Sequence, residues 1–194
     1  MTLAWELDDS PVSDIFELSD KLSGHFENVK SVKMISFDRT VEKYAERPLP
    51  KSADAFYCTD SEAVFVEFKK WPINISNKDC SELKLENLRC SIHLKASDSL
   101  CLFPLIADAN ELIAGKKKVF ILVDDEPESD ISATINRLAS GNGKYVMKKL
   151  GFIGKYNKKD TDGKKIFYDE VRRFGPRDFA AYLMKENILF PKQD

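Results

Sequence analysis

The sequence predicts an α/β fold with a mixed central sheet flanked by helices, in the order helix, three strands, helix, strand (αβββαβ). Three observations lead to this prediction: a hairpin pattern over residues 53–70, helical periodicity over 77–103, and a continuous apolar run over 118–123. A strand that is apolar on both faces is typical of a sheet covered by helices. The 194 residues suffice for one well-buried domain and at most a small second one.

The N-terminal part supplies the first helix and the first strand. Ser13 can cap a helix that runs to about residue 28, in which isoleucine and leucine recur at helical spacing. Residues 32–37 are predicted to form a short strand. Residues 39–52 contain two prolines and are predicted to be mostly a connection with a single helical turn.

The clearest local pattern is a β-hairpin. Residues 53–59 and 63–68 are rich in aromatic and apolar side chains, and Asp60-Ser61 between them suits a two-residue turn. Trp71-Pro72 ends the second strand because proline cannot continue the ladder of hydrogen bonds.

This turn fixes which side chains face each other. Thr59 then pairs with Glu62, and Asp54 lies directly opposite Glu67. Directly opposed residues have Cβ atoms roughly 4.5–5.5 Å apart. Lys69 is two residues beyond Glu67 and points to the same side of the sheet. The hairpin therefore predicts two carboxylates and an ammonium group in one patch.

The second half supplies the remaining elements. The long helix over 77–103 ends at Pro104, and residues 118–123 form a buried strand. The other predicted segments are a helical piece at 105–114, a helix at 131–139, a joint at 140–143, strands at 151–156 and 165–171, and a final helix at 176–187.

The charge distribution suggests a division of the chain near residue 140. Residues 1–30 hold seven acidic residues and two lysines, a net charge of −5, whereas residues 141–180 hold eleven Lys or Arg and five acidic residues, a net of +6. We expect a core at 1–140 and a small basic α+β extension, 141–194, packed on it. A basic face of this kind can meet phosphate.

The composition argues against several other classes of protein. The four cysteines form no CxxC pair and the two histidines are far apart, so a zinc site is not expected. The first residues have no basic segment followed by an apolar run, and no stretch reaches about 18 apolar residues. We expect a reduced, cytoplasmic protein that makes no membrane contact.

The predicted patch has the chemistry of a metal site. Two carboxylates so close together repel each other, so one takes up a proton or a cation lies between them. Mg²⁺ suits this position because it binds one or two carboxylates and keeps its other sites for water and phosphate oxygens. In this interpretation Asp54 and Glu67 bind the metal, and Lys69 positions water or offsets developing charge.

The segments Ser52-Ala53-Asp54-Ala55-Phe56 and Val66-Glu67-Phe68-Lys69, in this order of elements, resemble the PD-(D/E)xK nuclease superfamily over residues 12–125. Ala53 stands where many members have proline. The resemblance implies a restriction-endonuclease-like core, a Mg²⁺ or Mn²⁺ cofactor, and hydrolysis of nucleic acid, DNA in preference to RNA. It also implies an acid on the first helix and a polar residue on the helix after the hairpin, for which Glu17 and Lys95 are the candidates.

Alternatives remain open from the sequence. Glu67 and Lys69 also suit a strand face that is exposed to solvent and has no catalytic role. The fold also suits an inactive binding module in a defence or toxin–immunity system. Such a module would act with a protein partner or as a homodimer. The candidate nucleic-acid contacts are the basic residues of the extension: Lys144, Lys148, Lys149, Lys155, Lys158, Lys159, Arg172 and Arg173.

Overall fold

The computed structural model describes residues 12–29, 32–44, 50–70, 82–105, 113–125 and 168–185. In these ranges six strands form one sheet with helices around it. The strands are β1 (Val12–Asp14), β2 (Lys33–Ser36), β3 (Ala55–Cys58), β4 (Glu62–Lys69), β5 (Lys117–Asp124) and β6 (Glu170–Phe174). The α-helices are α1 (Ile15–Ser19), α2 (Phe37–Tyr44), α3 (Glu82–Leu102) and α4 (Pro176–Lys185), and short 3-10 helices cover Asp20–His25, Glu27–Val29 and Phe103–Leu105.

The sheet is mixed, and its strands lie side by side in chain order. The pairs β1–β2, β2–β3 and β3–β4 are antiparallel, whereas β5 is parallel to β4 and β6 is parallel to β5. The predicted α/β class with a mixed, helix-flanked sheet is therefore confirmed. The apolar run predicted as a buried strand is β5, which is buried from Val119 to Asp124.

The hairpin has the predicted register. Cys58 pairs with Ala63 and Ala55 with Val66. At the turn, the Thr59 backbone N–H donates a 2.8 Å hydrogen bond to the carbonyl of Glu62, the residue that directly follows Asp60-Ser61. A two-residue turn leaves no freedom in the pairing, which is why the sequence predicted it correctly.

The first helix differs from its prediction. Residues 12–14 form a strand against β2, and Ser13 is buried in that pairing opposite Met34. The cap of α1 is Asp14, whose side chain accepts a 2.9 Å hydrogen bond from the Glu17 backbone N–H. The α-helix ends at Ser19 because Asp20 adopts a positive φ of 41°, and 3-10 turns follow. The single helix predicted to run to residue 28 is therefore wrong.

Residues 37–44 also differ from their prediction. They form the helix α2, where a connection with a single helical turn was predicted from residue 39 onward. Phe37 and Val41 are buried one turn apart, and the Thr40 hydroxyl donates to the Ser36 carbonyl at 2.9 Å. The prolines at positions 48 and 50 follow this helix in the chain and do not interrupt it.

The C-terminal part contributes to the same sheet. The strand predicted at 165–171 is observed at 170–174, and it extends the sheet beside β5. The final helix is observed over 176–185. The predicted segments at 131–139, 140–143 and 151–156 lie outside the described residues, as do the start of the long helix before residue 82 and most of the piece at 105–114.

Aromatic side chains fill both faces of the sheet. On one face Phe37, Phe56, Phe65 and Phe103 form a cluster with ring centroids 4.5–6.2 Å apart. On the other, Phe68 packs edge-on against Phe26 and against Phe179 of α4. In the described part of the chain, no helix combines the length and apolar character needed to cross a membrane.

Candidate functional site

Asp54 and Glu67 lie side by side at the end of the hairpin remote from its turn. Asp54 directly precedes β3, where Ala55 pairs with Val66, so it continues the register opposite Glu67. Its Oδ2 accepts a 2.7 Å hydrogen bond from the Phe68 backbone N–H, which holds the carboxylate against β4. The Glu67 side chain is 1% exposed and that of Asp54 21%, so the pair meets solvent on the Asp54 side.

Lys95 contacts both carboxylates. Its Nζ lies 2.9 Å from Asp54 Oδ1 and 2.8 Å from Glu67 Oε2, and its side chain is 23% exposed. The family resemblance implied only an accessory role for Lys95, on the helix after the hairpin. The structure brings it to the centre of the site, closer to both acids than an accessory residue needs to be.

Two tertiary hydrogen bonds hold α3 over this end of the sheet. The Ser99 hydroxyl accepts from the Ala53 backbone N–H at 2.8 Å, next to Asp54 in the chain. The Tyr168 hydroxyl donates to the Ala96 carbonyl at 2.7 Å. Because both contacts lie within the turn of α3 that follows Lys95, they hold its backbone in position relative to the acids.

The electrostatics of the three groups reflect their burial. Burial raises the pKa of Glu67 well above its ordinary value, and the charge of Asp54 raises it further. Burial also raises the pKa of Asp54, although Lys95 opposes this. For Lys95, burial opposes the charged form, but the attraction and hydrogen bonds of Glu67 and Asp54 together outweigh it and raise its pKa. The carboxylates thus need a cation beside them to stay ionised.

A cleft of about 330 Å³ opens beside Asp54. Lys69 lies on its wall, and its charge acts on Glu67 to lower that group's pKa. Glu17 of α1 lines the same cleft, so Glu17, Asp54 and Lys69 share it. Glu67 and Lys95 are not among its lining residues and join the site through their contacts with Asp54 and with each other. The lining residues are Ser13, Glu17, Leu18, Ser19, Asp20, Ser36, Asp38, Arg39, Asp54, Phe68, Lys69 and Lys70.

The oxygen donors that a divalent metal would meet in this site come from two acidic side chains, Asp54 and Glu67. Among the described residues, no group of three or more His, Cys, Asp or Glu side chains is arranged to hold a metal ion. Two carboxylates are nevertheless sufficient for Mg²⁺ or Mn²⁺, because water and phosphate oxygens complete the coordination. Asp54 and Glu67 already share one cation, the Lys95 ammonium. The residues therefore fit a metal on the condition that this ammonium withdraws.

A second buried charge pair lies nearby, and the sequence did not reveal it. Asp124 ends β5 and pairs in register with Lys69 of β4. Arg173 binds its carboxylate in a bidentate manner, with two distances of 2.6 Å. The Asp124 side chain is fully buried and that of Arg173 is 9% exposed. The one signal in the sequence was the position of Asp124, an acidic residue directly after the apolar run 118–123.

The basic residues predicted to bind nucleic acid fall into two groups. Lys144, Lys148, Lys149, Lys155, Lys158 and Lys159 lie outside the described residues. The other two donate to carboxylates: Arg173 to Asp124, and Arg172 to Glu62 and Glu170. Both arginines thus have structural partners within the sheet.

Comparisons with protein-family models, with curated proteins and with solved structures found no match. The functional assignment therefore depends on the chemistry of the site. The groups that matter are two acids on adjacent strands, Asp54 and Glu67, and two lysines beside them, Lys69 and Lys95.

Proposed function

We propose that the protein is a nuclease that uses Mg²⁺ or Mn²⁺ to hydrolyse phosphodiester bonds in nucleic acid, with DNA preferred to RNA. The observation that carries the proposal is that Asp54 and Glu67 converge on a single cation, the Lys95 ammonium, and that Asp54 also lines an open cleft. The order α1, β2, α2, β3, β4, α3, β5 contains the elements expected of a PD-(D/E)xK core, with the helix α2 inserted between its first two strands.

Each group in the cleft has a chemical role in this proposal. Asp54 and Glu67 would hold the metal, which when bound polarises a phosphoryl oxygen and lowers the pKa of a water molecule. Lys69 orients the attacking water and offsets the charge that develops on the phosphate. Glu17 is an accessory carboxylate that also lines the cleft, and Arg39, another lining residue, offers a guanidinium to a neighbouring phosphate.

The test compares variants that keep side-chain shape. Asp54→Asn and Glu67→Gln remove the ligand charges, and Asp60→Asn removes an exposed charge from the turn at the other end of the same hairpin. Binding of Mn²⁺ is measured by calorimetry, and cleavage is measured on plasmid DNA and on RNA. We expect the wild type and Asp60→Asn to bind and cleave, and the other two variants to do neither.

The same experiment can reject the proposal. A wild type that binds no Mn²⁺ would remove the metal site, and with it the nuclease. Cleavage that survives in both Asp54→Asn and Glu67→Gln would show that the activity resides elsewhere.

A second candidate is a binding module that has this fold and no catalytic activity. The observation that favours it is the Lys95 ammonium, which already satisfies both acids. In that case the three groups form a structural ion cluster and the protein acts through a partner. This alternative predicts no affinity for Mn²⁺ and unchanged partner binding in Asp54→Ala.

A further inference from the structure

The Lys95 ammonium lies where a cation shared by the two acids would bind. Its Nζ is almost equidistant from Asp54 Oδ1 and Glu67 Oε2, at 2.9 and 2.8 Å. The other oxygen of Asp54 accepts from the Phe68 backbone N–H, so Oδ1 is the one turned to the shared cation. The site of the proposed metal is thus occupied by a group of the chain itself.

The ammonium and a metal cannot occupy this site together. Mg²⁺ binds carboxylate oxygens at roughly 2.0–2.1 Å, so an ion held by the same two oxygens would overlap with Nζ. Charge leads to the same conclusion. The two acids carry −2, and one lysine reduces this to −1, whereas a divalent ion beside the ammonium would bring +3 to the same pair. Like charges at contact distance in a buried site repel strongly.

The side chain can withdraw although the helix cannot. Ser99 and Ala96 hold α3 to the rest of the fold on the C-terminal side of Lys95. The lysine stem has four carbons that rotate freely, and its side chain is 23% exposed. A change of rotamer toward solvent therefore frees the acids without moving the backbone.

We propose that Lys95 is the resident counter-ion of the metal-free protein, and that a divalent metal binds Asp54 and Glu67 by displacing it. This inference rests on the proposed metal site. Because the two cations compete, each weakens the binding of the other by the same factor. Lys95 therefore stabilises the fold in the absence of metal and lowers its affinity for metal.

The first experiment measures Mn²⁺ affinity by calorimetry and the thermal unfolding midpoint without metal. Lys95→Met removes the charge but keeps an apolar stem, Lys95→Arg keeps a cation, and Lys185→Met makes the same charge change at an exposed position of α4. We expect Lys95→Met to bind Mn²⁺ at least about tenfold more tightly than the wild type, and to unfold at a lower temperature without metal. Lys185→Met should match the wild type in Mn²⁺ affinity and in unfolding temperature. Lys95→Arg should not bind Mn²⁺ more tightly than the wild type.

The second experiment needs no variant, so it also serves if Lys95→Met does not fold. An amine-reactive ester labels the wild type with and without saturating Mn²⁺, and mass spectrometry measures the labelling at each lysine. Labelling of Lys95 should rise several-fold with Mn²⁺, whereas that of Lys185 should not change.

Two results would overturn the inference, and they differ in whether the proposed nuclease function survives. If the wild type binds Mn²⁺ but Lys95→Met binds no more tightly and Lys95 labelling is unchanged, the competition is absent and the proposed nuclease stands. If neither protein binds Mn²⁺, the proposed function is removed and this inference with it.

Discussion

Lys69 and Lys95 both lie near Glu67, but they differ in what they contact. Lys95 bonds to both acids from a helix, whereas Lys69 lies on the same strand as Glu67 and lines the cleft. A cation that neutralises the acids must leave when metal binds. In the proposed nuclease, a cation on the cleft wall contacts the substrate instead, so the two lysines are expected to respond differently to substitution.

Replacement of Lys69 with methionine should affect turnover and not metal binding. Loss of one group that stabilises developing charge costs roughly 10²–10³-fold in rate. We therefore expect Lys69→Met to bind Mn²⁺ as the wild type does and to cleave DNA about 100-fold more slowly or worse. Calorimetry and single-turnover cleavage test this. A variant that cleaves at the wild-type rate would exclude Lys69 from the chemistry.

Replacement of Arg173 with methionine should destabilise the protein. The Asp124 side chain is fully buried and accepts two 2.6 Å hydrogen bonds from this guanidinium. Removal of one partner of a buried ion pair costs about 3–5 kcal/mol. Urea unfolding at pH 7 measures the loss. The double variant Asp124→Leu/Arg173→Met should recover part of it, and no recovery would contradict this explanation.

The residues of the site differed in how well the sequence predicted them. Asp54 and Glu67 were placed opposite each other because a two-residue turn determines every pair in the hairpin. Lys95 was only one of several polar residues on its stripe, since periodicity does not tell which of them turns toward the sheet. The Asp124–Arg173 pair joins residues 49 positions apart, and no local pattern encodes such a contact.

At the scale of elements, one serine connects α3 directly to the segment before β3. The Ser99 hydroxyl accepts from the buried Ala53 backbone N–H and donates to the Lys95 carbonyl at 2.6 Å. It thus connects the helix that carries Lys95 to the segment that carries Asp54. Loss of this hydroxyl would leave a buried N–H without its acceptor.

Replacement of Ser99 with alanine should therefore cost about 1–3 kcal/mol, the range for a buried polar group that loses its partner. Ser97→Ala is the matched control, because the Ser97 hydroxyl also bonds one turn back on α3, to the His93 carbonyl. We expect the control to lose less than half as much in urea unfolding. Equal losses would mean that the bond to Ala53 contributes little.

Pairing between residues distant in the chain also limited how well the strands could be predicted from the sequence. β5 was predicted because a strand buried on both faces has a plain apolar run. β1 was missed because residues 12–14 become a strand only against β2, and that pairing prevented Ser13 from capping the helix. β6 is only half-buried, and its place beside β5 depends on contacts with residues distant in the chain.

At the scale of the molecule, an ion network joins three strands at the end of the sheet opposite the site. Arg172 of β6 bonds to Glu62 of β4 at 2.6 Å and to Glu170, and Lys117 of β5 also contacts Glu170. Hydrogen bonds lower the pKa of Glu170 from 4.5 to about 2, and the bond from Arg172 contributes more than the bond from Lys117.

This pKa predicts part of the acid sensitivity of the fold. Between pH 4.5 and 2 the unfolded chain takes up a proton on Glu170 that the native state does not hold, so acid favours unfolding. Glu170→Gln should be less stable than the wild type at pH 7, and the difference should shrink as the pH falls through this range. Urea midpoints at pH 7, 4 and 2.5 test this. A difference independent of pH would exclude ionisation as the cause.

The proposed division at residue 140 leads to the last prediction. The buried core includes Tyr168, Phe179 and Leu183, all of them beyond that division. Tyr168 also bonds to α3, and Phe179 covers Phe68 next to the site. A fragment of residues 1–140 would expose these apolar surfaces and leave the edge of β5 without β6, so it should show no cooperative thermal unfolding. Added fragment 141–194 should restore the transition if the pieces reassociate. A sharp transition in fragment 1–140 alone would instead show that the core folds independently and that the extension packs on it as a separate unit.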